Sequence, residues 1–271
     1  MDRIETQIRA TMKKARIGKN KKIVVALSGG KDSTATAHFL NKLGYKNLWG
    51  FHIDLGLGTY SARCLDAVKK LCVESDLKLK IYDVKKEMGS SMCYIRSAVQ
   101  SRKAGAGLKN CAVCGVLKKW IMNREARKMR ADFIATGHNA DDEAQTVLLN
   151  IFKGSPELSF NSGIVSKNVF SKKFVPRIKP LFYVAENDVR EFAKKQKLPV
   201  VFEKCPCGID SYRISIRKFL NTVPEKSKLN ILKNFEKILD KKKTTASRIN
   251  TCEICGEPSR GKVCKRCGLM N

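Results

Sequence analysis

Residues 22–33 read KIVVALSGGKDS, and the fold follows from them. Residues 23–27 form an unbroken, β-prone apolar run, the pattern of a strand covered on both faces within a parallel sheet. The run stops at Ser28-Gly29-Gly30, where paired glycines permit a sharp turn and a close approach of backbone to ligand. Asp32, Ser33 and Thr34 then offer caps for a helix predicted over 34–43, which Gly44 ends. A strand, a glycine turn and a helix N-terminus together aim backbone N–H groups and a positive dipole end at one point, an arrangement that suits a phosphate. Neither GxxxxGKS/T nor GxGxxG is present, so this loop is not the common kinase or dinucleotide type.

Outward from this loop, residues 2–17 read as an amphipathic helix with Ile4, Ile8, Met12 and Ile17 on one side. Residues 48–54 (LWGFHID) predict a second strand, 61–75 a second helix, 78–84 a third strand, 131–136 (ADFIAT) a fourth and 200–202 a short last one. This alternation predicts an α/β fold, a doubly wound parallel sheet with its ligands at the C-terminal ends of the strands. By that rule Ala26, His52, Asp54 and Gly137 flank a nucleotide beside Ser28, Gly29, Gly30, Lys31, Asp32 and Ser33. Asp54, before a flexible Leu55-Gly56 turn, is placed to hold Mg²⁺ near the phosphates. In GHNADDE, residues 137–143, Asp141 and Glu143 read as helix-start residues and His138 as structural. Residues 155–180 are irregular, and their basic segment 172–177 (KKFVPR) suits RNA backbone. The expected division is an N-terminal helix (1–20), a nucleotide domain (21–210), a helical segment (211–248) and a zinc ribbon (249–271).

Lys and Arg number 54 against 25 Asp and Glu, a formal charge of +29 that points to a polyanionic partner, with RNA the natural candidate. No run approaches a membrane span and the N-terminal stretch has no signal-like apolar block, so a cytoplasmic protein is expected, without membrane contact. Its 11 cysteines are then reduced, and their CxxC and CxC spacings favour metal ligation over disulfides. Cys111-x-x-Cys114 precedes a helix predicted over 116–130, where the N-terminus should depress the thiol pKa values; Lys118 shares the face of Cys114. Cys205 or Cys207, at the end of the predicted last strand, brings a third thiolate to the same rim. Cys64, Cys72 and Cys93 read as small buried thiols. Cys252, Cys255, Cys264 and Cys267 form two CxxC knuckles, each followed by glycine, the pattern of a structural Zn²⁺ held by four thiolates.

SGGKDS, CAVCG with Lys118, GHNADDEAQT, Cys205-Pro206, RKFLN and the closing ribbon together resemble the TtcA/TtuA family of PP-loop tRNA 2-thiolation enzymes, over nearly the whole chain. The resemblance implies that ATP adenylates the C2 oxygen of a tRNA pyrimidine, expected to be uridine, releasing pyrophosphate. Sulfur delivered through a 4Fe-4S cluster then replaces that oxygen; the alternatives are a cysteine persulfide without iron, or cytidine as the substrate. Carried over to this chain, Cys111, Cys114 and Cys205 hold the cluster, Lys118 lies near the ATP phosphates, and Asp142 serves the nucleobase. Cys207 keeps the third ligand ambiguous, and Cys205 is favoured because it precedes the proline. The resemblance further implies a sulfur donor, either a ubiquitin-like thiocarboxylate protein or free sulfide, and allows a homodimer. TtuA-type members usually carry a second zinc ribbon ahead of the PP-loop, whereas the first cysteine here is Cys64.

Overall fold

The computed structural model describes residues 3–161, 163–166, 169–208, 213–241 and 247–270. Helix α1 (Arg3–Ala15) leads to β1 (Ile23–Leu27), α2 (Lys31–Lys42), β2 (Leu48–Asp54), α3 (Thr59–Glu74) and β3 (Lys78–Asp83). Then come α4 (Val84–Met88), α5 (Met92–Gln100), α6 (Asn110–Lys128), β4 (Phe133–Ala135), α7 (Ala140–Phe152), β5 (Val169–Phe170) and β6 (Arg177–Ile178). The remainder is α8 (Glu186–Lys195), α9 (Arg213–Leu220), α10 (Glu225–Lys241), β7 (Ser247–Arg248), β8 (Asn250–Thr251), β9 (Pro258–Ser259) and α11 (Lys265–Met270).

The main sheet has five parallel strands in the order β3-β2-β1-β4-β6. Winding runs outward from β1 to β3, then returns to the other side of β1, so the order reverses between β1 and β4 and opens a crevice at their C-terminal ends. Side-chain alternation along β1 splits the core. Ile23, Val25 and Leu27 pack with Ile4, Ile8, Met12, Phe39, Leu40 and Phe192 of α1, α2 and α8. Val24 faces the other way, against Leu117 and Ile121 of α6 together with Phe51 and Tyr82.

Four local expectations are corrected. Residues 200–202 are not a strand: Val201 N–H donates to the Gly29 carbonyl at 2.8 Å, so this stretch crosses the glycine turn instead of joining the sheet. The fifth strand is β6, two residues in the segment read as irregular. Helix α2 begins at Lys31 with Gly30 as N-cap and no side-chain cap bond, so Asp32, Ser33 and Thr34 lie in its first turn. Helix α6 begins at Asn110, which puts Cys111 and Cys114 inside the helix.

The basic segment 172–177 is tied into the protein. The Lys173 carbonyl accepts from Asn123 Nδ2 at 2.9 Å, and Lys173 Nζ donates to the Gly256 carbonyl at 2.8 Å. The last residues fold back onto α6. Glu257, 5 % exposed, accepts from Arg127, and the guanidiniums of Arg124 and Arg266 lie 5.0 and 4.7 Å from the ring centre of Trp120. Loops leaving the C-terminal edge of the sheet carry the candidate site residues. Those at the opposite edge, residues 16–22 and 43–47, carry none and line a basic cavity of about 400 Å³ with Arg9 and Lys13.

Candidate nucleotide and cysteine site

The glycine turn is held by two serines. Ser33 Oγ accepts from Ser28 N–H at 3.1 Å and donates to the Gly30 carbonyl at 2.9 Å, and Ser28 Oγ lies 3.1 Å from Ser33 Oγ. Gly29 has φ +82° and a side chain there would stand 2.8 Å from the Cys64 backbone, so only glycine fits. With no side chain capping α2, its first-turn amides face the crevice.

Lys31 is 9 % exposed, with Nζ 2.7 Å from Asp32 Oδ2 and 3.0 Å from Glu186 Oε1. Burial alone would lower its pKa, but these two carboxylates outweigh it and raise it, so the lysine is charged. Burial raises the Asp32 pKa against the pull of Lys31. Asn139 Nδ2 donates to Asp32 Oδ1 at 3.0 Å while Asn139 Oδ1 caps α7 through Asp142 N–H, also at 3.0 Å, joining the two walls of the crevice. Gly137 serves that junction: a Cβ there would lie 2.6 Å from the Asp32 carbonyl carbon, so the close approach it permits in this structure is to α2.

Asp142 faces Arg213 Nη1 at 3.5 Å and Arg217 Nη2 at 3.8 Å, and Arg217 also reaches Glu186 at 3.9 Å. Burial pushes the Asp142 pKa up, and the two arginines oppose it. Asp141 is structural, accepting from Lys228 Nζ and from Glu186 N–H at 2.7 and 2.8 Å. Glu143 pairs with Lys179 at 2.8 Å. His138 stands at the rim with Nδ1 2.9 Å from Thr136 Oγ1; desolvation brings its pKa down to about 4, with the Lys179, Arg213 and Arg177 charges pushing the same way. Lys119 is likewise lowered, by desolvation and then by Arg177, Lys265, Arg213 and Lys179, which marks a concentration of positive charge.

His52 is 3 % exposed and donates from Nδ1 to the Leu27 carbonyl at 2.9 Å, since that oxygen can only accept. Its Nε2 is then a buried acceptor with no partner among the described residues, an unmet hydrogen bond that a nucleotide hydroxyl or amine fits. Asp54 is half-buried and its Oδ1 accepts from Gly56 N–H at 2.9 Å, closing the turn predicted there.

The cysteines gather more closely than their spacing suggests. Val201's bond to Gly29 and an Arg63–Glu203 pair at 2.6 Å carry Cys205 over the glycine turn. There the Cys114 thiol feels the charges of Lys118, Cys205, Cys111 and Cys207; burial raises its pKa, correcting the expected depression, because Cys114 is half-buried within α6 and not poised before it. Cys64 hydrogen-bonds Tyr60 and also feels Cys205. Cys93 Sγ lies 3.0 Å from Cys207 Sγ. Of the three cysteines read as lone buried thiols, only Cys72 is simply core. The donor set of Cys111, Cys114 and Cys205, three thiols, has the chemistry that an iron-sulfur cluster would take. A tighter group forms in the tail, where the sulfurs of Cys252, Cys255, Cys264 and Cys267 all lie within 4.8 Å of one another, the grouping one tetrahedral ion requires. Cys264 N–H points at Cys252 Sγ at 3.2 Å and Cys267 N–H at Cys264 Sγ at 3.4 Å. Gly256 takes φ +70° as its turn demands, whereas Gly268 is helical.

Comparison with known proteins decides what this geometry belongs to. A family model of the PP-loop domain matches residues 1–223. The chain belongs to the PP-loop family. This PP-loop protein is 34 % identical over 275 residues to a probable sulfurtransferase of Methanocaldococcus jannaschii, covering 98 % of this chain and 79 % of that one. It is 35 % identical over 254 residues to the tRNA-5-methyluridine(54) 2-sulfurtransferase of Pyrococcus horikoshii, covering 92 % and 78 %. Among solved structures it matches the U34-tRNA thiolase NcsA from Methanococcus maripaludis, determined with its 4Fe-4S cluster, at TM-score 0.80 and 29 % identity, covering 98 % of this chain and 85 % of that one.

Sequence reasoning on the PP-loop protein did not single out Glu186, Arg213 or the Cys93–Cys207 contact. Arg217 was within reach, lying in the RKFLN motif. Glu186 begins a helix 155 residues from the lysine it pairs with and carried no signal.

Proposed function

We propose that this protein is an ATP-dependent tRNA 2-thiolation enzyme, a sulfurtransferase that replaces the C2 oxygen of a tRNA uridine with sulfur. The observation that carries the reading is the convergence of Cys205 with Cys111 and Cys114 on the rim of the PP-loop crevice, in a chain whose relatives bear sulfurtransferase and thiolation names.

ATP lies with its phosphates on the α2 amides and its base toward β1 and β2. Ala26 ends the wall beside His52, whose bare Nε2 accepts from the nucleoside. The uridine C2 oxygen attacks the α-phosphate and pyrophosphate leaves against Ser28, Gly29, Gly30, Lys31 and Ser33, with Lys31 and Lys118 taking up the developing charge. Asp54 would hold Mg²⁺ near the phosphates, with Asp32 beside it on the ATP side. Asp142, fixed by Arg213 and Arg217, orients the base or carries its proton. Cys111, Cys114 and Cys205 would hold a 4Fe-4S cluster, which would supply sulfur, taken from a thiocarboxylate protein or from free sulfide, for the displacement of AMP. Zn²⁺ on the four tail cysteines is structural. Action in the cytoplasm fits the relatives of Caenorhabditis briggsae and rice named cytoplasmic tRNA 2-thiolation protein 1, and among the described residues no helix is long and apolar enough to cross a membrane. A homodimer is proposed and is checked by sedimentation.

The test is anaerobic: cluster-reconstituted protein, unmodified tRNA, Mg-ATP and sulfide, then digestion to nucleosides and mass spectrometry. The reading expects 2-thiouridine, lost in Cys205→Ala and Asp142→Ala. A 2-thiocytidine product corrects the substrate, full activity of iron-free protein removes the cluster from the reaction (a persulfide donor in place of sulfide then tests the cysteine-persulfide route), and no thiolation with iron retained in Cys205→Ala overturns the assignment.

A further inference from the structure

Cys93 and Cys207 have no part in the chemistry above, yet their sulfurs are 3.0 Å apart although 114 residues separate them in sequence. Each is held from its own side. Helix α5, which carries Cys93, is anchored by Met92, Ile95 and Val99, all buried in the core behind β2 and α6. Cys207 sits in a tight turn closed by Gly208 N–H on the Cys205 carbonyl at 3.0 Å, and its own carbonyl accepts from Asn110 Nδ2 at 3.3 Å. The contact is therefore between two fixed elements. Both residues are half-buried, neither sealed in the core. A disulfide bond of about 2.05 Å needs an approach of roughly 1 Å, within the reach of side-chain torsions.

We propose that Cys93 and Cys207 are a redox-active dithiol that a low-molecular-weight disulfide closes to an intramolecular disulfide, pinning the Cys205 turn to α5 without consuming a cluster ligand. The balance is that of thiol–disulfide exchange. One cysteine thiolate attacks a sulfur of RSSR, forming a mixed disulfide and releasing RS⁻. The second thiolate attacks the first cysteine's sulfur, breaking its bond to SR and releasing another RS⁻. The two protein protons end on the two RSH, the dithiol has lost two electrons, and the oxidant has gained them. The pairing also engages Cys207 with Cys93, which leaves Cys205 as the third cluster ligand; that clause alone rests on the function proposed above.

The experiment uses the full chain and oxidised glutathione. Trypsin releases Cys93 in residues 87–96 and Cys207 in residues 205–213, and Cys205→Ser makes Cys207 the single cysteine of the second peptide. In cluster-free Cys205→Ser, oxidation followed by alkylation and non-reducing digestion is expected to yield these two peptides joined, with two thiols lost per chain. Cys93→Ser and Cys207→Ser in the otherwise natural chain are each expected to lose the 87–96 to 205–213 cross-link. Recovery of both cysteines alkylated, or each separately joined to glutathione, overturns the proposal. In the cluster-loaded natural chain the disulfide is expected to form with iron unchanged. Iron released in step with oxidation makes Cys207 a ligand and overturns the separation. A chain that never takes up iron defeats the functional reading, while the cluster-free mapping still decides the dithiol.

Discussion

At the scale of single residues, the crevice is a set of buried charges kept in place by partners from distant segments. Lys31 is held by Asp32 and Glu186, and Asp142 by Arg213 and Arg217, with Arg217 bridging to Glu186, so the two walls share one ionic network. His138 lies at its edge and gives a pH signature. Its pKa is about 4 in the folded chain against the ordinary 6.5, so between those values the unfolded chain binds the extra proton. Stability is therefore intact above pH 6.5 and falls as pH drops toward 4. Urea denaturation of the protein and of His138→Gln at pH 7 and pH 5 measures this: the variant's midpoint is expected to fall less on acidification. Equal falls in both remove His138 from the account. The network itself was only half legible in the sequence. SGGKDS and GHNADDE announce themselves by local pattern, whereas a salt bridge such as Lys31–Glu186 depends on which helix end the fold delivers.

At the scale of elements, legibility follows the range of the signal. Residues 23–27 and 48–54 were readable as strands because five to seven consecutive residues carry the pattern. Strand β6 has only two residues, and its place is set by bonds from Ile134 and Thr136 to the Pro176 and Ile178 carbonyls at 2.9 Å. Val169, Phe170, Phe174 and Val175 ahead of it carry no period that would reveal this. Helix α6 is the element on which most depends. Cys111 and Cys114 lie in its first turns, Val113, Leu117 and Ile121 are fully buried, and Trp120, Asn123 and Arg127 receive the ribbon. Leu117→Ala removes side-chain atoms packed beside Val24 and Phe51 and is expected to cost about 2–5 kcal/mol by denaturant titration. A loss under 1 kcal/mol shows that α6 does not hold the sheet's second face.

At the scale of the molecule, 54 basic residues against 25 acidic ones act together on any nucleic acid. Around Lys119, desolvation first and then the charges of Arg177, Lys265, Arg213 and Lys179 lower its pKa, and those four cations make this the face expected to meet phosphates. tRNA affinity is expected to fall steeply with salt, and Lys119→Ala to flatten the slope of log K against log salt by about 1, as loss of one phosphate contact does. Filter binding at several salt concentrations reads this, and an unchanged slope moves the RNA to another face.

The opposite edge of the sheet answers a practical need. Strand β1 separates Asn20 from the glycine turn by five residues, about 17 Å of extended chain. Gly18, Lys19 and Asn20 are exposed, and no candidate site residue lies in that loop. A fluorophore or affinity handle grafted beside Asn20 therefore sits on a platform rigidly joined to the crevice yet remote from it. It is the place from which to watch tRNA arrive and leave, or to tether the protein to a surface, while the chemistry proceeds unhindered at the far end of the strands.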